Sequence, residues 1–174
     1  WQRSCAPRPG APDVTDFRTL LERLVDAEVR FVLVGGFAGT VLGSPRITID
    51  LDVVYDRDRT NLARLASALA PLSPYLRGAP PGLPFVLDVD TLTRGLNFTL
   101  TTTAGDLDLL GEIAGGGSYR QLVEQTRTLR VFDRDVDVVT LAQLIHLKRA
   151  AGRPKDLEAL AELELLRAEA KPNL

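Results

Sequence analysis

Hydrophobic and polar positions along the chain predict helices and strands in a mixed order. Residues 14–28 repeat apolar side chains at the spacing of one helical face, which predicts an amphipathic helix capped by Thr15. A continuous apolar run at residues 30–36 ends in glycines and predicts a central strand. Residues 37–43 have the length of a brief helix, and residues 46–56 predict the next strand.

The second half of the chain continues this mixture. An amphipathic helix at residues 59–72 runs into a segment rich in proline and glycine at residues 71–84, which is long enough for a lid or a substrate rim. The later segments predict two strands at 96–113 that turn at Ala104 and Gly105, a helix at 119–125, two strands at 128–140, and helices at 141–151 and 154–170. This order predicts an α+β fold with a small mixed sheet, packed by helices, and a helical C-terminus.

Composition limits the classes of protein to consider. With 174 residues and 45% hydrophobic content, the chain suits one domain, predicted at residues 13–174 behind a leader at residues 1–12 that is disordered or foreign to the domain. A net charge of −2 means that any contact with nucleic acid must be local. One cysteine and the lack of a long apolar run predict a cytoplasmic protein without a membrane partner.

Two carboxylates interrupt the strand predicted at residues 46–56. Asp50 and Asp52 are two residues apart, so they project from the same face, while Ile49, Leu51 and Val53 are predicted to face the core. Carboxylates this close repel each other unless a cation lies between them. The pattern therefore predicts a divalent cation, Mg²⁺ or Mn²⁺, at this strand.

A third carboxylate on a neighbouring strand would complete such a site. Asp108 is the best candidate and Asp106 the second, and their equal parity in one strand leaves the choice open. Three carboxylates would allow two ions, about 3.5 to 4 Å apart, to hold the attacking and leaving oxygens of a phosphoryl displacement.

A glycine pair precedes the aspartates. Gly35 and Gly36 lie between a strand and a short helix, where backbone N–H groups can approach a phosphate, and Ser44 and Arg46 would add donors. Each feature has a simpler explanation: the glycines suit a tight turn, and Arg46 suits an ion pair with one of the aspartates.

These motifs resemble a known family. Residues 34–54, VGGFAGTVLGSPRITIDLDVV, are similar to the signature of the nucleotidyltransferase superfamily that includes DNA polymerase β. The Arg-x-Thr-x-Asp-Leu-Asp pattern from Arg46 to Asp52 resembles the AbiEii-like toxins of bacterial toxin–antitoxin pairs, including the mycobacterial MenT group. Residues 144–160, LIHLKRAAGRPKDLEAL, add the lysine and the Arg-x-Lys-Asp element of such proteins, and the motifs together span most of residues 30–165.

The resemblance implies roles for single residues. Asp50 and Asp52 would bind Mg²⁺, Lys148 would contact the nucleoside triphosphate, and Asp156 would be a further essential acid. Larger members carry an extra C-terminal domain that this sequence lacks, so the resemblance implies a minimal version of the fold. Without the resemblance, Asp156 suits a carboxylate that stabilises a helix N-terminus.

Basic residues cluster near the C-terminus. Lys148, Arg149, Arg153 and Lys155 lie within ten residues of an otherwise acidic chain. The cluster is a candidate RNA-binding face, to which Arg77 would add, and a solvated basic surface is the simpler alternative.

The leading functional hypothesis is a nucleotidyltransferase toxin. It would transfer a nucleoside monophosphate from an NTP to the 3′ end of tRNA, block aminoacylation and translation, and be silenced by a cognate antitoxin protein. A second hypothesis keeps the chemistry and changes the acceptor to a protein hydroxyl or to a small molecule such as an aminoglycoside. A third hypothesis is a non-catalytic binding or regulatory module of the same fold.

Overall fold

The computed structural model describes residue 12 and residues 14–169. The predicted leader therefore lies outside the described residues except for Pro12, and so do residues 170–174 of the predicted domain. The division of the chain into a leader and one domain stays a prediction.

Helices and strands alternate through the described residues. The helices are α1 (Phe17–Asp26), α2 (Gly35–Val41), α3 (Arg59–Leu69), α4 (Val89–Arg94), α5 (Tyr119–Leu122), α6 (Leu141–Ala151) and α7 (Pro154–Glu169). The strands are β1 (Phe31–Val34), β2 (Asp50–Tyr55), β3 (Tyr75–Leu76), β4 (Asn97–Thr102), β5 (Gly105–Leu110), β6 (Glu112–Ile113), β7 (Gly117–Ser118), β8 (Thr126–Val131) and β9 (Arg134–Val139).

Seven strands form one mixed sheet in the order β3-β4-β5-β2-β1-β9-β8. At its centre β2 pairs antiparallel with β1 and parallel with β5. The β4–β5 hairpin extends one side, and the antiparallel pair β8 and β9 extends the other. Strands β6 and β7 form a separate two-stranded ribbon. The predicted α+β fold with a helical C-terminus is confirmed.

Apolar side chains of the central strands and of the packed helices form the core. All four residues of β1 are buried, as a central strand covered on both faces requires. Helix α1 packs on the sheet through Leu20, Leu21 and Leu24, which are buried at the predicted helical spacing.

The N-cap of α1 is one residue later than predicted. Asp16 caps the helix, because its carboxylate accepts a hydrogen bond of 3.0 Å from the backbone N–H of Thr19. Thr15 is buried instead, where its hydroxyl donates to the Ile49 carbonyl and accepts from the Asp106 backbone N–H at 3.1 Å. Thr15 thus joins β5 to the segment that leads into β2.

Strand β2 begins later than predicted, at Asp50. Leu51 and Val53 face the core as expected, but Ile49 is 70% exposed, so that part of the prediction was wrong. The physical reason is that residues 44–49 are not part of the strand, and the alternation of faces holds only within a strand.

The segment at residues 71–84 is more ordered than a simple loop. It contains β3, which pairs with β4, and the Tyr75 hydroxyl donates to the Pro80 carbonyl at 2.7 Å. Helix α4, which the sequence pattern did not indicate, follows this segment and is capped by Asp88.

Asn61 is a buried polar side chain that joins two strand ends. It is 1% exposed, accepts from the Arg30 backbone N–H at 2.7 Å, and donates to the carbonyls of Arg30 at 3.0 Å and Asp56 at 2.8 Å. We expect Asn61→Ala to lower the free energy of unfolding by about 2–4 kcal/mol, because it leaves buried backbone groups without partners. Urea denaturation measures this loss.

Ser67→Ala is the matched control, since Ser67 is exposed on the same helix. Its unfolding midpoint should stay within the error of the wild type. Equal midpoints for the two variants would contradict a structural role for Asn61.

Candidate active site

Four carboxylates project from one face of two neighbouring strands. Asp50 and Asp52 lie on β2, and the parallel register places Asp106 opposite Asp50 and Asp108 opposite Asp52. Leu51 lies between the first pair on the opposite face and is fully buried. The sheet therefore brings together, side by side, acids that are more than fifty residues apart in the chain.

Three of these carboxylates could hold a metal ion. Asp50, Asp52 and Asp108 each offer an oxygen, and these oxygens lie within 4.8 Å of one another. Hard carboxylate oxygens are the ligands that Mg²⁺ and Mn²⁺ prefer. The structure thus groups Asp108 with the motif aspartates, whereas Asp106 lies outside this group.

Arg77 reaches this cluster from the end of β3. Its Nη2 lies 2.9 Å from an Asp108 oxygen, its Nε 3.0 Å from an Asp106 oxygen, and its Nη1 4.0 Å from an Asp50 oxygen. The sequence interpretation placed Arg77 in an RNA-binding patch. No local pattern indicated this location, because Arg77 and Asp108 are 31 residues apart and meet only through the β3-β4-β5 arrangement.

The glycine pair packs directly against the motif. Gly35 has φ of +69°, and a Cβ at this position would overlap the Asp52 carboxylate. A Cβ at Gly36 would overlap the hydroxyl of Thr48, which donates to an Asp50 oxygen at 3.2 Å. A side chain at Gly35 would displace Asp52 and one at Gly36 would displace Thr48, so glycine is required at both positions.

Burial and mutual repulsion set the charge state of the cluster. Burial raises the pKa of Asp52 to about 7, and the negative charges of Asp50 and Asp108 add to this effect. Burial also raises the pKa of Asp108 above its ordinary value, although the guanidinium of Arg77 opposes the shift. A backbone hydrogen bond from Gly36 and the charge of Lys155 favour the ionised form of Asp52.

Asp156 joins two basic residues at the junction of α6 and α7. It is 2% exposed, and its oxygens lie 3.2 Å from Lys148 Nζ and 2.6 Å from Arg153 Nε. Burial alone would raise the pKa of Asp156, but hydrogen bonds from Arg153 and Lys148 hold it below its ordinary value. Asp156 therefore fixes both cations at one side of the aspartate cluster.

Arg46 has different partners from the alternative considered for it. It forms ion pairs with Glu162 at 3.2 Å and Glu158 at 3.4 Å, both on α7, rather than with a motif aspartate. Ser44 is buried, and its hydroxyl accepts from the Arg46 backbone N–H at 3.4 Å.

The candidate RNA-binding residues do not all line the cavity. Arg153 and Lys155 line the same cavity as the aspartates, as does Lys148. Arg149 is exposed, is absent from the cavity wall and forms an ion pair with Glu164.

An open cavity of about 590 Å³ connects these groups. Gly35, Gly36, Ser44 and Arg46 line it together with the motif aspartates, Asp108, Lys148 and Asp156. Residues of β4, β5 and β6 also line it, namely Asn97, Leu110, Glu112 and Ile113. The volume lies in the range of small-molecule sites.

Among the described residues, no helix combines the length and the apolar character needed to span a membrane.

Comparisons with known proteins find solved structures of similar fold. No protein-family profile matches the chain, and no curated protein matches it. The lincomycin-bound lincosamide antibiotic adenylyltransferase LnuA is similar in structure, with a TM-score of 0.56 and 15% identity over 89% of this chain and 99% of that chain. The antibiotic-resistance factor ANT(2'')-Ia has a TM-score of 0.49 and 15% identity over 87% of this chain and 86% of that chain.

A candidate nucleotidyltransferase from Thermotoga maritima, TM1012, has a TM-score of 0.47 and 14% identity over 88% of this chain and 89% of that chain. At this level of identity the likeness to LnuA establishes the fold. The resemblance to the AbiEii-like toxins stays a prediction. The described chain has the fold of a nucleotidyltransferase.

Proposed function

We propose that the protein is an Mg²⁺-dependent nucleotidyltransferase that transfers a nucleoside monophosphate from an NTP to an acceptor hydroxyl. The observation that carries this proposal is the convergence of oxygens from Asp50, Asp52 and Asp108 within 4.8 Å in a cavity that Lys148 also lines. The LnuA-like fold agrees with it.

The cluster fits a divalent cation. Its donors are hard oxygens, and Gly35 and Gly36 leave room for the carboxylates to converge. The raised pKa of Asp52 has burial as its main cause, followed by repulsion from Asp50 and Asp108, and this repulsion is what a bound cation would relieve. When bound, Mg²⁺ supplies positive charge to the triphosphate and to the leaving pyrophosphate.

The basic residues that line the cavity, Lys148, Arg153 and Lys155, suit the binding of a triphosphate. Lys148 and Arg153 are held toward the cavity by Asp156, and Lys155 lies near enough to Asp52 to influence its charge. Lys148 contacts the phosphates in this proposal, Asp156 positions it, and the backbone of Gly35 and Gly36 lines the phosphate path. Ser44 and Arg46 contribute at the rim of the same cavity.

The transfer is a displacement at the α-phosphorus. The acceptor oxygen forms a bond to the α-phosphorus, the bond from this atom to the oxygen that bridges to the β-phosphate breaks, and pyrophosphate leaves. Asp108 would accept the hydroxyl proton, because its carboxylate lies beside the motif aspartates in the same cavity. Catalysis depends mainly on positioning and on charge.

The acceptor proposed first is the 3′ end of tRNA. This choice follows from the resemblance to the AbiEii-like toxins, which also implies loss of aminoacylation, arrest of translation and inhibition by an antitoxin. Arg153 and Lys155 at the cavity are the contacts that support it, and Arg149 would contribute from outside the cavity.

A small hydroxylated molecule, such as an antibiotic, is the second candidate acceptor. The observation that favours it is the set of cavity residues from β4, β5 and β6, which contains acids and apolar side chains but no cation: Asn97, Asp108, Leu110, Glu112 and Ile113. LnuA is a lincosamide adenylyltransferase, so a protein of similar fold acts on a small molecule.

Incubation with each α-labelled NTP and with total tRNA, protein or aminoglycosides as acceptors tests the proposal. We expect label on tRNA, and we expect Asp50→Asn to lower the rate by about 10³-fold or more, because a metal ligand is lost. Asp135→Asn is the control, since Asp135 is the exposed member of an Asp-x-Asp pair of the same spacing on β9.

Label on a small molecule alone would replace the first acceptor by the second. If no acceptor took label and the Asp50 and Asp135 variants behaved alike, the non-catalytic module would be the better hypothesis.

The raised pKa of Asp52 predicts a pH-dependent stability. The unfolded side chain titrates near 3.8 and the folded one near 7, so the folded state binds more protons between these values and loses stability as the pH rises through them. With EDTA at pH 8, Asp52→Asn should therefore melt a few degrees above the wild type, and the difference should shrink at pH 5. Thermal melts followed by circular dichroism measure this.

Asp133→Asn controls for the general effect of one lost carboxylate, because Asp133 lies in the exposed β8–β9 turn. Excess Mg²⁺ at pH 8 should raise the melting temperature of the wild type and of Asp133→Asn, but not that of Asp52→Asn. An Asp52→Asn protein that is no more stable than the wild type at pH 8 would contradict the assigned repulsion.

Lys148 and Arg149 form a matched pair on α6. Lys148→Ala should raise the KM for NTP about 10- to 100-fold, because a charge-assisted contact to phosphate is worth about 1.5–3 kcal/mol. Arg149→Ala should leave the KM for NTP unchanged, since Arg149 lies outside the cavity and pairs with Glu164. Steady-state kinetics with saturating acceptor separate the two, and equal effects would exclude this role for Lys148.

A further inference from the structure

The four carboxylates on β2 and β5 carry more negative charge than one divalent ion balances. Asp50, Asp52, Asp106 and Asp108 form two facing pairs in the parallel register. The group within metal-binding distance holds three of them and omits Asp106. Asp106 therefore lies beside the metal-binding group without belonging to it, and a second positive charge on that side would reduce the repulsion among the four acids.

Arg77 is placed where that second cation would lie. The three nitrogens of its guanidinium lie within ion-pair distance of three different carboxylates. Nε lies 3.0 Å from an Asp106 oxygen, Nη2 lies 2.9 Å from an Asp108 oxygen, and Nη1 lies 4.0 Å from an Asp50 oxygen. A guanidinium in this position cannot lose its charge at physiological pH. It lies at the carboxylates of both strands, where a shared divalent ion would otherwise bind.

The surroundings of Arg77 hold the side chain in this place. Its Nη2 also donates to the Leu100 carbonyl at 2.9 Å, and its backbone N–H donates to Thr99 at 2.9 Å, which continues the pairing of β3 with β4. The side chain is 28% exposed, unlike a freely solvated surface arginine. Asp106 adds an ion pair, with an oxygen 3.0 Å from Nε.

We propose that Arg77 is a positioning residue that replaces a second divalent ion in the cluster, so that the site holds one divalent ion beside a fixed guanidinium. The inference rests on the metal site of the proposed function. It differs from the arrangement of two ions that three converging carboxylates would otherwise allow. Arg77 orients Asp108 and sets the charge of the cluster without contacting the reacting atoms.

Counting bound Mn²⁺ tests this inference without any turnover. Titration of the nucleotide-free protein, with free Mn²⁺ followed by electron paramagnetic resonance, should give one ion per wild-type chain. Arg77→Gln should bind two, and the first should bind about tenfold more tightly or better, because a competing positive charge a few ångströms away has been removed. A residue that only supported the fold would not increase metal binding when replaced.

Two further variants serve as controls. Arg77→Lys keeps the charge and should still bind one ion, which supports the proposal even if Arg77→Gln is destabilised. Arg94→Gln removes an exposed arginine of α4 and should bind Mn²⁺ as the wild type does, which excludes an effect of net charge alone. Thermal melts confirm that each variant is folded.

The outcomes separate the two proposals. One ion bound by the wild type, with the same number and affinity in Arg77→Gln, overturns the role of Arg77 and leaves the metal site intact. Two ions bound by the wild type also overturn it. If none of the folded variants binds Mn²⁺, the metal site of the proposed function fails, and the inference fails with it.

Discussion

Four carboxylates project from the same face of β2 and β5, and their mutual repulsion is the interaction around which the site is arranged. The strands cannot relieve it by twisting the acids apart, because their opposite faces are fixed in the core by buried side chains such as Leu51 and Leu107. The protein therefore surrounds the acids with compensating groups. Arg77 lies on one side, Lys155 on another, and the backbone of Gly36 donates to Asp52.

On the basic side of the cavity, positive charges are compensated by a negative one. Lys148 and Arg153 would repel each other if they were brought together alone, and the buried carboxylate of Asp156 lies between them. Asp156 is in the first turn of α7, where a negative charge is also favoured by the helix N-terminus. The structural and the functional explanations of Asp156 are therefore compatible, because one charge serves both purposes.

Much of the fold could be predicted because the evidence for it is local. The apolar run of β1 and the two-residue spacing of Asp50 and Asp52 are properties of short segments. The features that the sequence did not predict depend on contacts between distant segments. Asp106 and Asp108 have the same parity, and the convergence of the Asp108 oxygen with those of Asp50 and Asp52 distinguishes them. Arg77 itself follows a strand of two residues, which is too short for any pattern to reveal.

The ion pairs of Arg46 could not be predicted for the same reason, since its partners Glu158 and Glu162 are more than a hundred residues away. Two of the errors, at Thr15 and at Ile49, have one origin. The chain before β2 is held by Thr15 instead of by strand pairing, so the alternation of faces stops at Asp50.

The contacts of Arg46 tie the segment before β2 to α7. The first turn of the same helix contains Asp156, which holds Lys148, so α7 supports both Lys148 and the segment before β2. A protein that bound the outer side of α7 and tilted this helix would displace both Lys148 and the segment before β2. A macromolecular partner could thus inhibit the protein by binding to α7, without entering the cavity.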